Sequence, residues 1–225
     1  MAGMSVLGDP ALQAIVDRLH AESEAQEAET GAWFSERGKR GELSWDGLDE
    51  KSHRYMADKL VALEPPKAEF CHLLCRSIGA RRVVEVGTSF GVSTLYLAAA
   101  VRANGHGVVI GTEHEPTKAA AARKTFIEAG LAEFIDLREG DLRETLKVID
   151  GPVDFVLMDI WTETARPAIE LIAPHLRTGS MIVADNTTRV RHAYGRFFEF
   201  VEDPANGLRA ITLPFDGGLE MIVKA

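Results

Sequence analysis

Arg81-Arg82-Val83-Val84-Glu85-Val86-Gly87-Thr88-Ser89-Phe90-Gly91 leads directly into Val92-Ser93-Thr94-Leu95-Tyr96-Leu97-Ala98-Ala99-Ala100. The first half is a short β-branched run that ends on a glycine. The second is a helix-forming run with no turn residue. Strand, Gly-containing turn and helix, in that order, open a βαβ unit. The same alternation repeats downstream. GVVIGTE (107–113) predicts a second strand, followed by a helix over 116–129 that starts at Pro116 and stops at Gly130. EFIDLR (133–138) predicts a third strand with a short helix over 141–148, and VDFVLMD (153–159) a fourth with a helix over 164–176. SMIVAD (180–185) predicts a fifth, and the helix after it carries Val190, Tyr194, Phe197 and Val201 on one face. RAITLPF and GLEMIVK flank Asp216-Gly217-Gly218, a strong turn signal, so the last two strands pair antiparallel. The pattern predicts an α/β, Rossmann-like domain: a seven-stranded, mainly parallel sheet with an antiparallel C-terminal hairpin and helices on both faces.

Upstream lies a helical preface. Asp9 caps a first helix, Pro10 suits its first position, and Leu12, Ile15, Val16 and Leu19 form its apolar stripe. AESEAQEAET is acidic and reads as solvated, and GAWFSERGKRGELSW has no clean period and reads as loop. Further helices are predicted over 47–62 and 66–79, separated by Pro65-Pro66. One domain over 1–225 is expected, with the preface over 1–64 and the α/β core over 65–225.

The 225 residues carry a net charge of −9, which argues against a nucleic-acid partner. Cys71 and Cys75 stand four apart in a predicted helix and read as core residues rather than a metal or redox pair. No basic segment leads into an apolar run at the start, and no stretch reaches about 18 apolar residues, so neither a signal peptide nor a membrane span is expected. A cytoplasmic protein is the expectation.

In parallel sheets, ligands bind outside the carboxyl ends of the strands. Those ends hold Glu85, Glu113, Asp141, Asp159 and Asp185, a concentration of negative charge. A pyrophosphate would meet Glu85 unfavourably, and the dinucleotide fingerprint wants glycine where Ser89 stands, which counts against a nicotinamide cofactor. S-adenosylmethionine, with a sulfonium, an ammonium and no phosphate, suits an acidic rim. Glu113 is positioned to accept from both ribose hydroxyls. Asp141 is a candidate for the adenine amino group, with Leu142 and Trp161 near the ring.

VVEVGTSFGVSTLYLA (83–98) resembles motif I of the class I catechol and caffeoyl-CoA O-methyltransferases, in which Glu-x-Gly-x-x-x-Gly-x-Ser is met by Glu85, Gly87, Gly91 and Ser93. The resemblance runs from about Lys67 to the closing hairpin. It implies a methyltransferase fold in which Gly87 and Ser93 contact the methionine part of S-adenosylmethionine, Glu113 the ribose, and Asp141 and Trp161 the adenine side. It also implies a divalent cation, usually magnesium, on Asp159, Asp185 and Asn186, so Asp159 serves donor, metal and catalysis alike. Two carboxylates on adjacent strand ends repel, and a hard cation resolves the repulsion. The alternative is that Asn186 or Thr187 only caps the next helix, with Asp159 near the sulfonium and Asp185 solvated.

The sequence departs from the family at Thr162, where catechol-type enzymes carry a lysine that acts as general base. His192 and Asp216 are the substitutes to inspect, although both read more readily as surface or structural residues. Lys67 and His114 read as solvated. Trp33 and Trp45 either line an acceptor pocket or pack the preface onto the sheet. The implied acceptor is a hydroxyl of a small aromatic molecule, such as a vicinal diol, and the preface helices are candidates for a homodimer interface.

Overall fold

The computed structural model describes residues 5–43, 47 and 49–225. Trp45 lies outside them. Helix α1 (Pro10–Lys39), α2 (Glu50–Met56) and α3 (Pro65–Ser77) precede the alternating core. The core runs β1 (Arg82–Val86), α4 (Val92–Ala103), β2 (Val108–Glu113), α5 (Pro116–Glu128), β3 (Ile135–Glu139), α6 (Leu142–Thr145), β4 (Val153–Met158), α7 (Thr162–Ile172), β5 (Leu176–Asp185), α8 (Gly195–Glu202), β6 (Leu208–Leu213) and β7 (Leu219–Lys224).

The seven strands form one sheet in the order β3-β2-β1-β4-β5-β7-β6. Pairings among β1 to β5 are parallel, and β7 is antiparallel to both neighbours. The strand order reverses between β1 and β4, and there the loops leaving the two strands diverge and open a crevice. Alternation along the strands builds two cores. Val83, Phe155, Leu157 and Val183 face α1, α3, α4 and α5, whereas Val84, Val86, Val156 and Met158 face α6, α7 and α8. Every residue of β4 is buried, as expected of a parallel strand covered on both faces.

The preface departs from the expected pattern. AESEAQEAET and most of the following stretch are helical, so α1 runs unbroken for 30 residues. Its inward positions turn polar after Leu19 because they satisfy backbone instead of filling core. Ser23 Oγ accepts from the amide of Ala62 at 3.0 Å, and Gln26 Oε1 accepts from the amide of Leu60 at 3.2 Å. Those amides are therefore unavailable to a helix, and α2 ends at Met56 rather than 62. Arg37, 5% exposed, ties the end of α1 to Asp49, Ser52 and Glu42. Trp33 stacks on Tyr55 with ring centroids 4.0 Å apart and the planes 2° from parallel, so it packs the preface together. At the other end of the chain, Val190 and Tyr194 lie in turns, and α8 begins only at Gly195. No helix among the described residues is long and apolar enough to cross a membrane.

Candidate active site

A cavity of about 580 Å³ lies at the β1/β4 crevice. Its floor is the set of strand ends, and the segment after α2, from Leu60 to Leu63, forms part of its wall. The hydrogen bonds that the Ala62 and Leu60 amides donate to Ser23 and Gln26 therefore also shape the pocket.

The loop after β1 is held from below. Glu85 is fully buried, and its carboxylate accepts from the hydroxyls of Thr88 (2.9 Å), Ser93 (2.7 Å) and Thr94 (2.5 Å). Burial pushes its pKa up, the three hydroxyls pull against that, and Glu113 adds to the rise. Glu85 is not among the residues lining the cavity, so the expectation that it faces the donor is corrected: it is the peg on which the loop and the start of α4 hang. Gly87 has φ +96, and a Cβ there would lie 2.0 Å from the backbone carbonyl of Asp159, so only glycine lets the β1 and β4 ends come this close. Ser89 also takes a left-handed conformation, φ 49.

Glu113 closes the next strand. One oxygen accepts from the amide of Ser89 and the other from the amide of Glu115, each at 2.7 Å. Each carboxylate oxygen keeps a second lone pair, and Glu113 lines the cavity. Asp141 lines it too, but its carboxylate caps α6 and is gripped by the Arg143 guanidinium at 2.5–3.0 Å. Arg143 holds Asp141 down at about 2. Leu142, buried, and Trp161, 41% exposed, line the same end, as does exposed His114.

At the far end, register places Met158 beside Ala184, which sets Asp159 next to Asp185 as the sequence predicts. Burial raises the Asp159 carboxyl well above its ordinary value, and Asp185 and then Glu85 push it further the same way. Asp185 is likewise raised, chiefly by burial, although Lys67 opposes the shift. Lys67 is the main surprise. It is 1% exposed rather than solvated, and its Nζ lies 2.6 Å from Asp185 Oδ1 and 2.5 Å from Glu64 Oε2. Asp185 Oδ2 accepts from Asn186 Nδ2 at 2.8 Å, so Asp185 is not solvated either. Asn186 sits at φ 56, and its Oδ1 is buried without a hydrogen-bond partner. The β6–β7 turn fixes that loop: the carbonyl of Gly217 accepts from the amides of Thr188 (2.9 Å) and Arg189 (3.0 Å).

Thr162, at the position of the missing lysine, lines the cavity. His192 and Asp216 do not, and Asp216 instead pairs with Arg189 at 2.6 Å, so neither stands where an acceptor would sit. Tyr194 does line it, but burial, with Asp159 and Asp185, pushes its phenol up and away from service as a base. His53 of α2 and Glu163 of α7, both in the lining, lie 3.8 Å apart. Trp33 is not part of the lining. Cys71 and Cys75 are buried in the core, and burial raises both thiols. Among the described residues, no cluster of three or more His, Cys, Asp or Glu side chains could hold a metal ion. The set brought together here is two aspartates and an amide.

Residues 84–187 match a family described as "Methyltransferase domain". Catechol O-methyltransferase of Mycobacterium tuberculosis is 35% identical over 130 residues, which cover 57% of this chain and 58% of that protein. The chain thus aligns with under two thirds of that relative's length. The crystal structure of cofactor-bound Rv0187 from MTB superposes with a TM-score of 0.71 at 26% identity, covering 98% of this chain and 93% of the other. An O-methyltransferase from Bacillus cereus, in complex with SAH, shares the fold at a TM-score of 0.66 and 24% identity, over 73% of this chain and 83% of its own.

Proposed function

We propose that this chain is a class I S-adenosylmethionine-dependent O-methyltransferase, a reading supported by the matched methyltransferase model and the likeness to a catechol O-methyltransferase, and that it transfers the donor's methyl group to a hydroxyl of a small aromatic acceptor, assisted by a divalent cation. One observation carries the reading. A single cavity joins a nucleoside-binding end, at Glu113 and Asp141, to an oxygen-ligand end, at Asp159, Asp185 and Asn186.

At the donor end, the free lone pairs of Glu113 accept from the two ribose hydroxyls, while its other pairs keep the Ser89 and Glu115 amides in place. Gly87 leaves room for the methionine part, and Ser93, itself held by Glu85, lines that side. Leu142 and Trp161 offer apolar surface to the adenine. The grip of Arg143 leaves Asp141 to shape this end more than to serve as a free acceptor.

At the acceptor end the residues fit a hard cation. Asp159 lacks a neutralising partner strong enough to offset its burial, Asp185 adds a second carboxylate, and Asn186 Oδ1 is an orphaned buried oxygen. Asp159, Asp185 and Asn186 would hold the ion, and a bound divalent cation supplies Lewis acidity that lowers an acceptor hydroxyl's pKa and fixes its direction. Met56, Leu60, Val190 and Tyr194 also line the cavity and offer apolar surface to an aromatic acceptor. The acceptor oxygen attacks the methyl carbon in line with the breaking carbon–sulfur bond, whose electron pair stays on sulfur; the hydroxyl proton leaves to solvent. Holding the three atoms in line accounts for most of the rate, since effective molarities for such alignment reach about 10⁵ M or more. The likeness to a catechol O-methyltransferase supports a vicinal diol as acceptor.

The test pairs calorimetry with turnover. S-adenosylhomocysteine should bind and NAD should not, and methyl transfer to catechol should stop in EDTA and return with magnesium. Binding of NAD in preference to S-adenosylhomocysteine would end the donor assignment, and undiminished turnover in EDTA would end the metal's part in it.

A further inference from the structure

We propose that Lys67 is a resident counter-cation of the acceptor end, which holds Asp185 in place when no metal is bound and opposes a divalent ion once it arrives. The inference rests on the acceptor-site reading above and extends it to a residue outside the ligand set.

The argument begins with burial. A lysine ammonium is strongly hydrated and is almost never fully buried unless paired. Lys67 has 1% of its surface exposed and lies 2.6 Å from one oxygen of Asp185 and 2.5 Å from Glu64. The ammonium is therefore a fixed positive charge inside the fold, not a surface group that happens to point inward.

Counting charges then sets its role. With their carboxyls ionised, as metal ligation requires of the two aspartates, Asp159, Asp185 and Glu64 bring three negative charges to this corner, and Lys67 brings one positive charge. The remainder matches one divalent ion. Without that ion, Lys67 keeps Asp185 paired, and the Asn186 amide occupies the carboxylate's other oxygen. The ligand arrangement thus persists in the metal-free protein. With the ion present, a like charge sits against a shared ligand and weakens its hold. A site built this way binds its metal reversibly and survives its loss. Glu64, at the start of α3, stays paired with the ammonium and gives it somewhere to lean when Asp185 turns to a metal.

Calorimetric titration of the full chain with magnesium chloride after EDTA treatment tests this, using wild type, Lys67→Met and Lys67→Arg. Each protein is checked by circular dichroism and by its affinity for S-adenosylhomocysteine. Lys67→Met, nearly isosteric and neutral, should bind magnesium at least tenfold more tightly than wild type, a difference of about 1.4 kcal/mol. Lys67→Arg, which keeps the charge, should bind like wild type. Magnesium binding by Lys67→Met alone, with none measurable in wild type, would support the proposal more strongly still. A folded Lys67→Met that binds no tighter than wild type would overturn it and leave the metal reading standing. Absence of binding in all three would overturn both. If Lys67→Met does not fold, wild type labelled with ¹⁵N at lysine Nζ gives the test, with Lys67→Arg identifying the resonance: the Lys67 ammonium signal should move on magnesium addition, and an unmoved signal at saturating magnesium would overturn the proposal.

Discussion

Replacing Glu113 with alanine should remove most of the affinity for the donor while leaving the protein folded. The carboxylate has about four lone-pair positions. Two are taken by the Ser89 and Glu115 amides at 2.7 Å, and the others are open to the cavity for the ribose hydroxyls. A hydrogen bond to a charged group contributes about 1.5–3 kcal/mol, so losing both ribose bonds costs about 3 kcal/mol or more, at least a hundredfold in dissociation constant. The loop also loses its anchor at Ser89, which adds to the loss. Glu113→Gln sharpens the test, because its amide has a single acceptor oxygen and cannot serve both backbone amides and both hydroxyls. It should fall between wild type and alanine. Calorimetry with S-adenosylhomocysteine reads all three, with circular dichroism as the check on fold. A folded Glu113→Ala protein that binds within threefold of wild type would refute the ribose assignment.

Glu85→Ala strips the acceptor from three buried hydroxyls, Thr88, Ser93 and Thr94, and at roughly 1–3 kcal/mol for each unsatisfied group it should cost on the order of 4 kcal/mol in urea unfolding; a loss below about 1 kcal/mol would show that the peg is dispensable. Gly217→Ala places a Cβ at φ +70 and 2.4 Å from Asn186 Oδ1, so magnesium affinity should fall at least tenfold with little change in donor binding, both read by calorimetry. His72 is buried with Nδ1 2.9 Å from the Tyr96 carbonyl, and burial lowers its pKa below the usual 6.5. The unfolded chain therefore takes up the proton first, and stability falls as pH drops from about 6.5 through the lower folded value. Urea midpoints between pH 5 and 8 should show this slope, and His72→Gln should flatten it.

Much of the fold was legible because its signals are local. β1, β2, β4 and β5 carry β-branched residues and end on or just before an acid or a glycine, and the Asp216-Gly217-Gly218 turn marks the hairpin. The pairing of Asp159 with Asp185 followed from strand adjacency alone. What escaped was set by tertiary partners. The polar inner face of α1 looks solvated until Ser23 and Gln26 are seen to accept the Ala62 and Leu60 amides. Lys67 follows two prolines at a helix start, where lysine is ordinarily exposed, and its partner Asp185 lies 118 residues away. Glu85 was noticed for its charge, but its direction into the core depends on hydroxyls three, eight and nine residues later. The run Thr88, Ser93 and Thr94 at the start of an apolar helix was the available clue.

The Gly217 carbonyl, holding the amides of Thr188 and Arg189, gives the two ends of the pocket different histories during synthesis. The residues proposed to grip the nucleoside are all synthesised by Trp161, but the loop carrying Asn186 is locked only when the closing hairpin is in place. On the proposed function, the acceptor end is therefore the last part of the pocket to be completed.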